Sequence, residues 1–378
     1  MSAGGDVMHA RLLLEDGTAL EGRGFGSRGI RYGELVFSTG MVGYPESLTD
    51  PSYRGHLLTM TYPLIGNYGV PRRDITHNGI PVHFESDRIQ VEGFIISTLT
   101  RSSHWASEME LDEWLKTEHV PGICGIDTRM LVKHIRSGGV MMGALVVGEE
   151  ADEDDILGTL HSMNYDDQQF LDLVSPPHPL FHEPPHWTQT VVVVDCGIKY
   201  GILRELVGRG YRVIRIPATA DPFRFIDEYD AHGVVFGNGP GNPELLTGLI
   251  EIARKVIESS IPTLGICLGS QVLALADGAT VYKLPYGHRG LNKPVKDIKT
   301  GNAFVTTQNH GYAVRAESLD EFSCWMINID DRSVEGIYHP RKPIIAVQFH
   351  PEASPGPTES SWIFHAFSRL MGGDASGI

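Results

Sequence analysis

The stretch PTLGICLGSQ, residues 262–271, runs from an apolar segment into a helical pattern through two glycines that flank a cysteine. Its centre, Gly265-Ile-Cys267-Leu-Gly269, has the spacing of a nucleophile held at a tight turn between a strand and a helix. Glycines suit such a turn because a missing Cβ permits close approach of the backbone. We expect the Cys267 sulfur to project into solvent-accessible space at a helix N-terminus, which favours the thiolate. The alternative is a structural cysteine that lies near a glycine by chance.

Strands and helices alternate around this stretch. The segment VVVVD, residues 191–195, is a continuous apolar run, which is typical of a parallel strand buried on both faces. Helical and strand patterns then alternate through YGILRELVGRG, YRVIRIPA, GVVFGN, LLTGLIEIARKVIESS, PTLGI and LGSQVLALADG. This alternation predicts an α/β domain over residues 190–378, with a doubly wound, mostly parallel sheet. Reactive groups of such sheets lie beyond the carboxyl ends of the strands, where Cys267 stands.

The first part of the chain is richer in strand and turn signals. Asp16-Gly17 lies between two alternating segments, which is a strong hairpin signal. GIDTRMLVKHIRSGG indicates a helix, with Asp127 as its N-cap and Gly138 at its end. We therefore predict a separate, strand-rich α/β domain over residues 1–148.

An acidic and proline-rich segment follows this first domain. GEEADEDDILGTL is strongly acidic, and SPPHPLFHEPPH holds five prolines within residues 176–185. Charge and proline both resist packing into a core, so we predict a connector over residues 149–189. A chain of 378 residues is long enough for a domain on either side of it.

Composition excludes several functional classes. The net charge of −16, from 47 acidic and 31 basic residues, argues against a nucleic-acid ligand. The N-terminal sequence lacks the pattern of a signal peptide, and no apolar run is long enough to span a bilayer. We expect a cytoplasmic protein without a metal site or a disulfide framework, because its four cysteines are scattered: Cys124, Cys196, Cys267 and Cys324.

A base for the cysteine is available in the late segment PIIAVQFHPE. Residues two apart in extended chain point the same way, so His350 and Glu352 are expected to lie side by side. His350 would accept the thiol proton, while Glu352 would fix the imidazole tautomer and stabilise its cation. The alternative is that both are surface residues after a strand, since the chain has 17 histidines.

Acyl transfer also needs donors for an oxyanion. The N–H of Leu268, directly after the nucleophile, is one candidate, and the loop NGPGNP, residues 238–243, is another. A phosphate-binding loop is the rival interpretation, but neither Gly-x-x-x-x-Gly-Lys-Ser/Thr nor Gly-x-Gly-x-x-Gly after a strand is present. A plain turn also remains open. The residues together predict acyl transfer through a thioester, without specifying the acyl group.

The motifs GICLGSQ, NGPGNP and FHPEASPGP resemble those of the class I glutamine amidotransferases. GYPESLTDPSY, TYPLIGNYG, GIDTR, QNHGYAV and HPEASPGP are similar, more narrowly, to the small subunit of carbamoyl-phosphate synthase. The resemblance runs from about residue 10 to 370 and includes the first domain, which other amidotransferases lack.

The resemblance implies hydrolysis of L-glutamine to glutamate and ammonia. It further implies a heterodimer, or a higher oligomer of heterodimers, in which ammonia passes through a tunnel to a large subunit. The large subunit would hold the sites for ATP, its divalent metal and bicarbonate. That subunit would make carbamoyl phosphate for arginine and pyrimidine synthesis, and this chain would need no cofactor. Two alternatives remain: a non-catalytic regulatory or scaffold homologue, and the amidotransferase subunit of another synthase.

The resemblance also assigns roles to individual residues. Cys267 would be the nucleophile, with His350 and Glu352 completing the triad. Glutamine would be bound by Ser52, Gly239, Gly241, Leu268, Gln271, Asn309, Gly311 and Tyr312. Without the resemblance, the default interpretation of Ser52 is an ordinary turn serine after a proline, and that of Gln271 and Asn309 is a helix cap or a core hydrogen-bonding group.

Three positions depart from the family pattern. Ser270 stands where the family usually has histidine, Gly201 where asparagine is common, and Leu291 where a smaller residue is usual. None belongs to the triad, so the departures concern subunit coupling and loop dynamics more than hydrolysis.

Overall fold

The computed structural model describes residues 8–373, which divide into two compact units. The first unit contains residues 8–74 and 87–168, and the second contains residues 75–86 and 169–373. The chain therefore leaves the first unit and returns to it. The predicted domain limits at residues 148 and 189 stay a prediction.

The first part of the chain alternates short helices with strands. In chain order its elements are β1 (His9–Leu14), β2 (Ala19–Gly26), β3 (Gly29–Ser38), α1 (Tyr44–Thr49), β4 (His56–Met60), β5 (Thr76–His77), β6 (Ile80–Pro81), β7 (Gly93–Ile95), α2 (Leu111–Thr117), β8 (Pro121–Cys124), α3 (Thr128–Gly138), β9 (Met141–Val147) and α4 (Glu153–Ser162).

The second part opens with a short helix and an edge strand. Its elements are α5 (Leu171–Val174), β10 (Leu180–His182), β11 (Gln189–Asp195), α6 (Tyr200–Gly208), β12 (Tyr211–Pro217), α7 (Pro222–Tyr229), β13 (Gly233–Phe236), α8 (Thr247–Ser259), β14 (Thr263–Ile266), α9 (Leu268–Ala276), β15 (Val281–Asp297), β16 (Ala303–Val314), β17 (Ser323–Asn328), β18 (Val334–Tyr338), β19 (Ile344–Val347) and α10 (Trp362–Met371).

The first unit is built on a closed barrel in the order β1-β2-β8-β7-β4-β3-β9, with β9 paired back to β1. The predicted hairpin joins β1 to β2, and Gly17 at its turn has φ +83°, a value that favours glycine. The predicted N-cap of α3 is also present, because Asp127 Oδ1 accepts a hydrogen bond of 2.9 Å from the N–H of Met130. Both sequence predictions are confirmed.

The second unit is built on a mixed sheet in the order β10-β12-β11-β13-β14-β19-β18-β17-β15-β16. Strands β12, β11, β13, β14 and β19 are parallel to one another. Antiparallel pairs add β10 at one edge and β18, β17, β15 and β16 at the other. The predicted doubly wound parallel arrangement is thus confirmed for the five central strands, whereas the sheet as a whole is mixed because antiparallel pairs extend it at both edges.

Helices cover both faces of the parallel strands. Val192 and Val194 of β11 lie in one hydrophobic cluster with residues of α8 and α9. Val191 and Val193 lie in a second cluster with residues of α6 and α10. This two-sided burial explains why β11 is a continuous apolar run instead of an alternating one.

Residues 75–86 join the second unit through polar contacts at the start of α6. The carbonyl of Glu85 accepts a hydrogen bond from the N–H of Tyr200, and its carboxylate accepts one of 2.9 Å from the N–H of Gly201. The same carboxylate is 2.5 Å from the guanidinium of Arg204. Glu85 is fully buried, so these partners offset the cost of removing its charge from water.

Of the helices in the described part of the chain, none combines the length and the apolar character that crossing a membrane requires.

Candidate active site

Cys267 lies between the end of β14 and the start of α9, as the sequence predicts. Its backbone has φ 54° and ψ −105°, which is a strained conformation for a residue with a side chain. The flanking glycines leave no room for a Cβ atom, which would lie 2.6 Å from Leu273 Cδ1 at Gly265. At Gly269 it would lie 2.2 Å from the carbonyl oxygen of Phe236. This turn, residues 265–269, is called the elbow below, and it requires glycine on both sides of Cys267.

The expectation that Cys267 projects into solvent is wrong. The residue is 2% exposed, because backbone and side chains from β16 and from the end of β19 cover the sulfur. The thiol lies 3.7 Å from the carbonyl oxygen of Asn309, to which it donates. Nε2 of Gln348 lies at the same distance of 3.7 Å and donates to the sulfur. The surroundings of the sulfur are buried but polar.

His350 and Glu352 lie side by side after β19, as the alternation of extended chain predicts. Nδ1 of His350 is 2.7 Å from Oε1 of Glu352, and both side chains are fully buried. A carboxylate can only accept here, so Nδ1 carries the proton and Nε2 is the atom available to a thiol. Nε2 makes no hydrogen bond of ordinary geometry with residues 8–373, yet the Cys267 thiol is close enough to help raise the pKa of the ring.

The electrostatics of this pair favour a charged imidazole and a charged carboxylate. Burial by itself would lower the pKa of His350, but the charge of Glu352 opposes this and raises it to about 10. Burial would raise the pKa of Glu352, but Lys199 and His350 lower it to about 2. The charge of Glu352 therefore stabilises the imidazolium that forms when Cys267 transfers its proton to His350.

Lys199 is a member of this cluster that the sequence reasoning missed. Its Nζ is 2.9 Å from Oε1 of Glu352 and donates to the carbonyl of Ala353 at 2.6 Å. The side chain is 2% exposed, and a buried lysine without a partner is costly. Lys199 follows the carboxyl end of β11, and that position in a doubly wound sheet was the available signal.

The structure shows a steric reason for glycine at position 201, where the family commonly has asparagine. A Cβ atom at Gly201 would lie 2.8 Å from Cγ of Glu352 and 3.0 Å from Oε2 of Glu85. In this chain the glycine lets Glu352 pack directly against the first turn of α6. Ser270 is buried in α9, whereas Leu291 is partly exposed in β15, and nothing in the structure gives either departure a role.

The loop at residues 238–243 packs directly against the elbow. A Cβ atom at Gly239 would lie 2.1 Å from the carbonyl oxygen of Cys196 and 2.7 Å from Cδ2 of Leu268. Gly241 has φ +88°, a conformation that favours glycine. The N–H of Leu268 lies in the first turn of α9, where amides have no acceptor within the helix. The two predicted sources of oxyanion donors are thus neighbours.

Apart from Gly239 and Gly241 in the 238–243 loop, the predicted glutamine-binding residues of the second unit lie on α9 and β16. Gln271 donates both of its amide hydrogens inside the protein, to the carbonyl of Tyr312 at 2.9 Å and to Oε1 of Gln348 at 3.1 Å. It is therefore at least a core hydrogen-bonding group. Gly311 lies beside Arg289, whose Nη2 would be 3.3 Å from a Cβ atom there. Asn309 covers the sulfur through its carbonyl.

Ser52 belongs to the first unit. It lies in a short 3-10 turn, Pro51–Tyr53, and its N–H donates to Oδ1 of Asp50 at 2.9 Å. The side chain is buried, and its role in binding glutamine stays a prediction.

Comparison with known proteins identifies the family. Residues 12–145 match the family model of the carbamoyl-phosphate synthase small chain, and residues 192–370 match that of class I glutamine amidotransferases. The chain is 56% identical to the carbamoyl phosphate synthase small chain of Pyrococcus furiosus, over 96% of this chain and 97% of that relative. The chain belongs to the carbamoyl-phosphate synthase small chain family.

Other members of this small chain family give the same result. The small chain of Sulfolobus acidocaldarius is 49% identical, over 96% of this chain and 97% of the relative. That of Methanocaldococcus jannaschii is 45% identical, over 96% of this chain and 99% of the relative. The predictions of a ligase subunit with a glutamine amidotransferase domain are confirmed at the level of the family.

Proposed function

We propose that this chain hydrolyses glutamine through Cys267, His350 and Glu352. The observation that best supports the proposal is the buried imidazole–carboxylate pair, joined at 2.7 Å, whose imidazole is close enough to the Cys267 thiol for the thiol to help raise its pKa. Such a pair stabilises the positive charge that His350 bears when it holds the thiol proton.

In the proposed reaction the Cys267 sulfur attacks the carboxamide carbon of the glutamine side chain, and His350 holds the thiol proton. The N–H of Leu268 and the 238–243 loop donate to the oxyanion that forms. His350 then gives its proton to the departing ammonia, which leaves a thioester on Cys267. Water hydrolyses the thioester to glutamate and regenerates the thiol.

Substrate recognition in this proposal uses several fixed dipoles, since free glutamine carries both a carboxylate and an ammonium group. The proposed contacts are Ser52, Gly239, Gly241, Leu268, Gln271, Asn309, Gly311 and Tyr312. Because Cys267 is 2% exposed, glutamine reaches the sulfur only after the covering backbone at Asn309 moves. We therefore expect the free chain to hydrolyse glutamine slowly.

The proposal includes a large-subunit partner, because the relatives are named small chains. The partner would receive the ammonia through a tunnel and combine it with bicarbonate and ATP into carbamoyl phosphate. Arginine and pyrimidine synthesis would use the product. We place the chain in the cytoplasm, since its four cysteines are free thiols, as is usual in a reducing compartment.

The test is Cys267→Ser in the complex with the large subunit, with Cys324→Ser as the matched control. Cys324 is another free cysteine, on β17, and it has no part in the proposed site. Cys267→Ser should abolish glutamine-dependent synthesis of carbamoyl phosphate and leave synthesis from added ammonium intact, while the control keeps both. Glutamine-dependent synthesis that persists in Cys267→Ser would show that another group is the nucleophile.

A further inference from the structure

Three potential metal ligands converge in the antiparallel part of the second unit. His288 lies on β15, His310 on β16 and Glu335 on β18. Their side chains are buried, and one ligand atom from each lies within 4.8 Å of the other two. The proposed hydrolysis of glutamine uses none of them.

One ring nitrogen of His310 is buried and has no hydrogen-bond partner among the described residues. Its Nδ1 lies 2.8 Å from the carbonyl oxygen of Tyr312, so Nδ1 carries the proton and Nε2 is an acceptor. Nε2 is buried and has no hydrogen-bond partner in the described chain. An unprotonated ring nitrogen of this kind is what metal ligation requires.

His288 is oriented in the manner of a ligated histidine. Its Nε2 lies 2.9 Å from Oδ2 of Asp331, while its Nδ1 faces Oε1 of Glu335 at 3.6 Å and Nδ2 of Asn328 at 3.4 Å. Ligated histidines commonly donate their second N–H to a carboxylate or a backbone carbonyl. His288 has the first of these partners, and His310 has the second.

Glu335 supplies an unused acceptor. Its Oε1 accepts a hydrogen bond of 3.0 Å from Asn328, but Oε2 is buried without a partner among residues 8–373. A fully buried carboxylate oxygen with no donor is costly. A cation at this position would satisfy Oε2 and the lone pair of His310 together.

We propose that His288 Nδ1, His310 Nε2 and Glu335 bind a divalent transition-metal cation of the zinc class. Two histidines and one glutamate are a common ligand set for Zn²⁺, with water in the fourth position. With metal–ligand distances of about 2.0–2.2 Å, tetrahedral ligand atoms lie about 3.4 Å apart. Side-chain rotations that move the ligand atoms by about an ångström would therefore bring them to these positions. The charges of Glu335 and Asp331 balance the dication.

The site would tie β15, β16 and β18 together, next to the β16 residues Asn309 and Gly311 that we propose to contact glutamine.

The test uses the full chain carrying Cys267→Ser, so that zinc cannot bind the thiolate at the elbow. After removal of metals by a chelator, ZnCl₂ is titrated in competition with a chromophoric chelator, and CoCl₂ is added separately to record visible absorption. We expect one Zn²⁺ per chain and a tetrahedral Co²⁺ spectrum. The Co²⁺ spectrum needs no further substitution, so it stays informative if a variant folds poorly.

Glu335→Gln and His310→Gln should each weaken zinc binding by at least about 100-fold, since each removes a direct ligand. The matched control is Glu321→Gln, which disrupts another His–Glu pair of the same unit, His339 Nε2 to Glu321 Oε2 at 3.2 Å. The control should bind zinc as tightly as its parent. Absence of stoichiometric zinc binding, or equal affinity in all three variants, would overturn the proposal.

Discussion

Replacing Lys199 with methionine removes the positive charge beside Glu352 and keeps most of the aliphatic stem. The pair is fully buried, with Nζ 2.9 Å from Oε1, and Nζ also donates to the carbonyl of Ala353 at 2.6 Å. Breaking a buried pair usually costs about 3–5 kcal/mol, and losing a hydrogen bond to a charged group costs about 1.5–3 kcal/mol. Because His350 stays beside Glu352, we expect a loss of about 2–3 kcal/mol.

The same substitution should move the acid limb of activity. Lys199 lowers the pKa of Glu352, which is about 2, and also lowers that of His350. Its removal therefore raises both pKa values. Because the pKa of Glu352 is lowered on folding, this carboxylate contributes stability that is fully present above pH 4.5 and is lost as the pH falls towards 2. Lys199→Met should reduce that contribution, and the acid limb of glutamine hydrolysis should shift to higher pH.

Two assays measure these effects. Thermal unfolding should show a melting temperature lower by about 5–10 °C, and glutamine hydrolysis by the complex should be followed from acidic to neutral pH. Lys255→Met is the control, because Lys255 is an exposed lysine on α8. An unchanged melting temperature together with an unchanged acid limb would refute the view that Lys199 holds Glu352 charged and in position.

Two further predictions concern the packing of the second unit. Burial and the charge of Arg215 lower the pKa of His182 from 6.5 to about 4. This histidine therefore contributes about 3 kcal/mol to the free energy of unfolding above pH 6.5, and the contribution is lost as the pH falls to 4. His182→Gln should flatten this acid limb in denaturation curves measured between these pH values. Gly269→Ala places a Cβ atom 2.2 Å from the carbonyl of Phe236 and should cost about 3 kcal/mol or more. Gly248→Ala, with open space around the new Cβ, should change stability by less than about 1 kcal/mol, and equal melting of these two variants would contradict the steric argument.

Local patterns predicted the parts of the fold that depend on local chemistry. The continuous apolar run of β11 indicated burial on both faces, and its alternate valines do enter two different cores. Asp127 was recognisable as an N-cap because its side chain reaches an amide only three residues ahead. The pairing of His350 with Glu352 followed from the period of extended chain. Each of these features spans only a few residues.

Features that depend on distant segments were not predictable in this way. Lys199 and Glu352 are separated by most of the second unit, and no local pattern pairs them. Residues 75–86 belong to the second unit through contacts of Glu85 with α6, more than a hundred residues away in the chain. The cluster of His288, His310 and Glu335 draws on three strands whose order in the sheet differs from their order in the chain.

The burial of Cys267 shows how local and distant information combine. The elbow dictates a strained residue between two glycines, and that much is encoded within residues 265–269. Whether the sulfur then meets solvent depends on β16 and β19, which follow later in the chain and bring Asn309 and Gln348 within 3.7 Å. These groups exclude water and still offer the sulfur a donor and an acceptor. A cysteine placed in this way is protected at rest, and its reactivity depends on the backbone that covers it.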